Sequence, residues 1–97
     1  MIKMGEMGLN GMGMAEDYGG TGPIPLMTPS IIGEELSRKS AAVSMGWGAH
    51  NGLCMKVIDT NGTHEQKMKF IPDLISGKKV GALSMTEPGS GSGKNKL

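Results

Sequence analysis

Residues 40–61 read SAAVSMGWGAHNGLCMKVIDTN, and this stretch decides the fold. Met45, Ala49, Leu53 and Val57 recur at every fourth position, with Cys54 and Ile58 beside them. That spacing marks one apolar face of an α-helix. Against it stand Gly46, Gly48 and Gly52, each costing a helix interior about 1 kcal/mol relative to Ala. Pattern alone leaves the segment ambiguous. It is read as one long helix whose glycines let another backbone approach closely, with Trp47 as its large anchor. Asn61-Gly62 is the stop signal. Such a helix would stand at the centre of a bundle.

Upstream, Thr28 is an N-cap candidate and Pro29 then falls at the first helical position, where its missing N–H costs nothing. The helix predicted there runs to about Lys39, with Ile31, Ile32 and Leu36 on one face. Glu34 with Arg38, and Glu35 with Lys39, are i,i+4 pairs of a solvated face. Further upstream, Met1–Met14 carries glycines at 5, 8, 11 and 13, so a short helix ends near Gly8 or Gly11. Glu16–Gly22 is a glycine-rich loop. Pro23, Pro25 and Pro29 keep the next residues extended or turning.

Downstream, Thr63-His64-Glu65-Gln66 is a capping box. The helix it opens continues through Phe70 towards Ile75, with Pro72 expected to kink or divide it, and Ser76-Gly77 ends it. Lys79–Met85 reads as an extended segment. Pro88–Leu97 is Gly/Ser-rich and reads as a flexible end. The fold class is therefore all-α: a partial helical bundle ending in an extended Gly-rich tail.

Ninety-seven residues make one domain at most, and the margin of stability of so short a chain is small. Only Tyr18, Trp47 and Phe70 are aromatic, while ten residues are Met, which specifies a core weakly. The apolar faces thus need something further to pack on. A net charge of +1 with both signs scattered excludes the basic stripe of a nucleic-acid surface. No run approaches roughly 18 apolar residues, so no membrane span is predicted, and no signal peptide is visible. The chain reads as soluble and intracellular.

Several chemical motifs fail on spacing. Gly-Ser-Gly-Ser-Gly93-Lys94 has Pro88 where a P-loop needs Gly, and Asn95 follows the lysine instead of Ser or Thr. The dinucleotide fingerprint fails at Glu16 and again at Lys94. His50 and His64 lack partners at metal-ligand spacing. His50, mid-helix, is read as a hydrogen-bonded structural residue and His64 as an exposed first-turn residue. Cys54, the single cysteine, is read as a small buried hydrophobe.

Four blocks in order resemble the acyl-CoA dehydrogenase family. They are Glu16-Asp17-Tyr18-Gly19-Gly20-Thr21-Gly22; Glu34-Glu35-Leu36-Ser37-Arg38; Gly48–Cys54 followed by Asn61–Lys67; and Leu74–Gly77 leading to Gly81–Ser92. The third is similar to the isovaleryl-CoA branch, and the last to the family's flavin-contacting signature. The resemblance implies that the ambiguous middle segment is helix. It implies that residues 1–78 are part of an amino-terminal helical domain and 79–97 the truncated start of a middle β-domain. It implies FAD as cofactor, with Leu83, Ser84, Met85, Thr86 and Ser92 at the cofactor and Ser92 also at the acyl-CoA substrate. The implied reaction removes a proton from Cα and a hydride from Cβ to give a 2,3-enoyl-CoA, in leucine catabolism. An electron-transfer flavoprotein would reoxidise the flavin, and the intact family member is a homotetramer. The location implied is the mitochondrial matrix in a eukaryote or the cytoplasm in a bacterium.

The catalytic base is expected from a carboxy-terminal bundle beyond Leu97, so no catalytic residue is assigned here. Ser84 departs from the family's small apolar residue, Gly93 from its Asp, and Pro25 and Pro29 fall where the family is usually helical. The match ends after Gly93, and the expectation is a truncated, frame-shifted or degenerate reading frame, inactive alone. Alternatives are a short- or medium-chain acyl-CoA dehydrogenase fragment and a non-catalytic helical interaction module.

Overall fold

A computed structural model describes residues 1–91, and Ser92 with the rest of the tail lies outside the described residues. Five α-helices follow in order: α1 (Ile2–Glu6), α2 (Thr28–Ser37), α3 (Ala41–Gly48), α4 (Lys56–Asn61) and α5 (His64–Ser76). A 3-10 turn spans Glu16–Tyr18, and a π-helical segment, Ala49–Met55, joins α3 to α4. The described residues contain no strand, only an isolated bridge between Glu87 and Ser90.

The long helix expected over residues 40–61 is present, with a π-segment inside it. Backbone angles stay helical through both junctions, at Gly48 and Lys56. Ser40 caps it, its hydroxyl accepting from the Val43 N–H at 3.3 Å. Two expectations about this helix need correction. A Cβ built at Gly46, Gly48 or Gly52 meets nothing within 4 Å, so no backbone approaches these glycines. The recurring apolar stripe also faces outward: Met45 is 77% exposed and Leu53 47%. The buried residues are Trp47, His50, Asn51 and Met55.

The π-segment explains that inner face. In an α-helix of 3.6 residues per turn, positions 50 and 55 would lie about 140° apart. Bonding from i to i+5 stacks residues five apart, so His50 and Met55 share a side, and both are fully buried. Within this segment the Asn51 amide donates to the Trp47 carbonyl at 3.1 Å.

α2 differs from expectation at its start. Thr28 is the first helical residue, Met27 is the N-cap, and no side chain caps the end. α2 closes at Ser37, slightly short of Lys39, and pairs with α3 through the Ser44 hydroxyl, which donates to the Gly33 carbonyl at 2.9 Å. Glu35 pairs with Arg38 at 3.1 Å rather than with Lys39, and Glu34 meets Arg38 at 3.6 Å. All three side chains are well exposed, so the pairs contribute little. α2 buries no residue; Ile31 is 57% exposed.

The capping box forms as read, with the Thr63 hydroxyl accepting from Gln66 N and the Gln66 side chain accepting from Thr63 N. Pro72 does not divide the helix it opens; α5 is one element from His64 to Ser76. Gly77 ends it in the left-handed region, at φ 79°. The amino-terminal residues fold over this end. A Cβ at Gly5 would lie 2.6 Å from the Ile75 and Ser76 carbonyl oxygens, so only a glycine lets α1 cross there.

The core is small. Met14, Met55, Ile71 and Leu74 form it, with Tyr18, Cys54, Ile58 and Ile75 packed around them. Full burial of side chains such as Met55 and Ile71 contributes about 1.5–3 kcal/mol each. Trp47 is buried apart from that cluster, under the amino-terminal segment, its indole N–H donating to the Leu9 carbonyl at 3.0 Å.

Candidate functional site

His50 sits at the junction between the helical body and the segment that follows it. Its ring is fully buried, and both nitrogens are used. The Gly81 N–H, which can only donate, lies 2.9 Å from Nδ1. The Leu74 carbonyl, which can only accept, lies 2.8 Å from Nε2. These partners assign the neutral tautomer with the proton on Nε2. The structural reading of His50 made from sequence holds, and the ring ties the end of α5 to the residues beyond it.

Those residues carry the flavin-contacting candidates. Leu83, Ser84, Met85 and Thr86 follow one another in an irregular exposed segment, with Leu83 39% and Met85 76% exposed. Among the described residues none of the four uses its backbone N–H in a hydrogen bond. Just beyond, Glu87 N donates to the Ser90 carbonyl at 2.8 Å and closes a turn. The donor set fits a flavin: a run of unspent N–H groups and the Thr86 hydroxyl can meet ring carbonyls, which only accept. Ser92, the remaining candidate, lies outside the described residues.

A second feature is a cleft of about 680 Å³ between the loop of residues 12–29 and the long helix, lined by Met12, Ile24, Leu26, Trp47, Asn51 and Lys56 among others. Its walls are mainly apolar. At its rim Lys56 and Asp59 make an ion pair at 3.9 Å. No buried side-chain polar atom lacks a partner among the described residues.

Sequence reasoning missed a buried amide network. The Asn51 carbonyl oxygen accepts from Gly11 N at 2.9 Å, and its amide also approaches the Asn10 oxygen at 3.4 Å. Asn10 in turn donates to the carbonyls of Met1 and Ile75, at 3.3 and 3.2 Å. The available signal was Asn51 itself, beside His50 in a helix interior that Asn disfavours. Tyr18 is a second miss: its hydroxyl shares a 2.8 Å hydrogen bond with exposed His64 Nδ1, joining the glycine-rich loop to the first turn of α5.

Cys54 is half-buried against the core and against Gly81, more open than its sequence reading. Near the end of α5, Lys79 reaches Asp73 at 2.9 Å. That hydrogen bond and the ammonium charge hold the Asp73 carboxyl below its ordinary value. No cluster of three metal-ligating side chains occurs among the described residues, nor is any of their helices long and apolar enough to cross a membrane.

Comparison with known proteins shows the family. Residues 1–78 match the model of the acyl-CoA dehydrogenase N-terminal domain. The chain is 48% identical over 89 residues to a mitochondrial isovaleryl-CoA dehydrogenase of Solanum tuberosum, covering 92% of this chain and 21% of that protein. It is 42% identical over 90 residues to the isovaleryl-CoA dehydrogenase of Bos taurus, covering 93% and 21%. A short-chain-specific acyl-CoA dehydrogenase of Clostridium acetobutylicum is 38% identical over 89 residues, covering 92% and 23%. The chain thus spans about a fifth of the length of the curated relatives it matches.

Proposed function

Because this chain belongs to the acyl-CoA dehydrogenase family, we propose that it forms the amino-terminal helical part and flavin-facing edge of an enzyme oxidising a short branched acyl-CoA, isovaleryl-CoA, to the 2,3-enoyl-CoA. Leucine catabolism is the process this substrate belongs to. The family is FAD-dependent. In this reading the backbone of Leu83, Ser84 and Met85, with the Thr86 hydroxyl, holds the flavin ring edge, and Ser92 meets both cofactor and acyl-CoA.

The observation that carries the proposal is the run of unspent N–H groups at Leu83–Thr86, anchored by Gly81 on buried His50. Bound FAD would supply the hydride acceptor. The chain's own part is to fix donors where negative charge accumulates, and donors fixed in advance need no reorganisation during the reaction. Greater identity to isovaleryl-CoA dehydrogenases than to the short-chain-specific relative favours the branched substrate. An electron-transfer flavoprotein as electron acceptor and a homotetrameric assembly belong to the same proposal.

The test is acyl-CoA oxidation by the gene product that carries these residues, with isovaleryl-, butyryl- and octanoyl-CoA compared under one electron acceptor. The highest kcat/KM is expected for isovaleryl-CoA. A preference for either straight chain would move the assignment to the short- or medium-chain group. Absence of oxidation with all three would end the enzymatic reading.

A further inference from the structure

We propose that His50 is a positioning residue for the segment Gly81–Thr86; its value to function rests on the flavin reading above. Between Lys79, whose N–H donates to the Asp73 carbonyl, and Glu87, which bonds Ser90, one hydrogen bond holds the chain among the described residues. That bond is Gly81 N–H to His50 Nδ1. The other end of the same ring holds Leu74, in the last turn of α5. The imidazole therefore spans the helix end and sets where the outgoing strand of chain leaves the body.

Sterics enforce the same position. A Cβ at Gly81 would lie 2.7 Å from the Cys54 Cβ and 3.3 Å from a Leu74 methyl, so the backbone there is seated on the π-segment and α5 together. The π-turn aims the ring by bringing His50 onto the side of Met55. Among the described residues His50 hydrogen-bonds Leu74 and Gly81 and none of the cofactor candidates, so it acts through Gly81. Fixing Gly81 restricts the next five residues, and a loop fixed beforehand loses less entropy when it meets a ligand.

The test is made on the 97-residue chain, labelled with nitrogen-15. A long-range proton–nitrogen spectrum reads the His50 tautomer, expected with the proton on Nε2. Amide exchange then reads Gly81, and heteronuclear relaxation reads the order of residues 82–86, in wild type, His50→Gln and His50→Asn. Gln reaches the Nε2 position and can keep the Leu74 bond. Asn places an oxygen near the Nδ1 position and can keep the Gly81 bond. The expectation is Gly81 exchange about tenfold faster in His50→Gln, lower order over 82–86, and recovery of most of both in His50→Asn.

Equal Gly81 protection in all three proteins, an Nδ1-protonated ring, or an unprotected Gly81 in wild type overturns the proposal. If His50→Gln fails to fold, the wild-type tautomer and the Asn variant still decide it. The flavin reading is decided apart from this, by acyl-CoA oxidation in the gene product that carries these residues, and the Gly81 measurements decide the anchor whichever way that result falls.

Discussion

The Asn51 side-chain oxygen accepts the Gly11 N–H at 2.9 Å in the buried interior, joining residues forty apart in sequence. The same amide group donates to the Trp47 carbonyl and approaches Asn10. One side chain thus holds the π-segment against the amino-terminal strap. Substituting Asn51→Ala leaves the Gly11 N–H buried without a partner and should cost about 2–3 kcal/mol. Ser44→Ala, which loses a single bond to Gly33, should cost about 0.5–1.5 kcal/mol. Urea unfolding followed by circular dichroism checks the order. Equal midpoints for the two variants would mean that the strap is not held this way.

Two glycines should respond to alanine with opposite signs. Gly46 has nothing within 4 Å of a built Cβ, so Gly46→Ala should gain about 0.5–1 kcal/mol from helix propensity. Gly77 stands at φ 79° against the Met1 backbone. Gly77→Ala should lose about 1–2 kcal/mol from the left-handed conformation, and more from the clash. Thermal midpoints should rise for the first and fall for the second. A fall for Gly46→Ala would reveal a neighbour packed on that helix face.

The same glycines show how far the sequence could be read. Recurrence at 45, 49, 53 and 57 favoured the long helix that the glycines left ambiguous and the family resemblance implied, since helical period follows from backbone geometry whatever the face meets. Which face is buried depends on neighbours, and a period carries no information about them. Met45 and Leu53 lie outward while His50 and Asn51 lie inward, because the π-turn rotates the polar pair under Met55 and the Gly11, Leu74 and Gly81 backbone meets their hydrogen bonds. Caps were local and therefore legible at Thr63 and Gly77. The cap at Thr28 was displaced by one residue to Met27, an ordinary error at a helix end. Of the candidate site, the helical anchor His50 could be named from its position; its partners Leu74 and Gly81 lie too far along the chain for any spacing rule.

Asp73 gives a pH dependence of definite sign. Its hydrogen bond with Lys79, helped by the ammonium charge, lowers the carboxyl from an unperturbed 3.8 in the folded chain. A depressed folded value means that stability from this pair is fully present above the unperturbed value and is lost as pH falls through the folded one. Both side chains are about half exposed, so the contribution is small and screened by salt. Proton titration of the Asp73 carboxyl by NMR should return towards 3.8 in Lys79→Ala. An unchanged titration would remove Lys79 as the cause.

The 97-residue chain by itself should neither retain FAD nor oxidise an acyl-CoA. Abstraction at Cα needs a carboxylate held beside the substrate. Glu34 and Glu35 are engaged with Arg38, Asp59 with Lys56 and Asp73 with Lys79. Glu65 is exposed in the first turn of α5, and Glu87 is exposed in the turn closed by Ser90, outside any enclosed site. Among the described residues the flavin would meet one exposed edge, Leu83–Thr86. Ordering that exposed run costs on the order of 1–2 kcal/mol per residue, which a few hydrogen bonds open to water at about 1 kcal/mol each do not offset. Purification in the presence of FAD, followed by absorption spectroscopy of the protein peak, is the measurement. A stoichiometric yellow protein would show that this edge suffices for binding, and bleaching of that flavin by isovaleryl-CoA would show that a base is present among these residues after all.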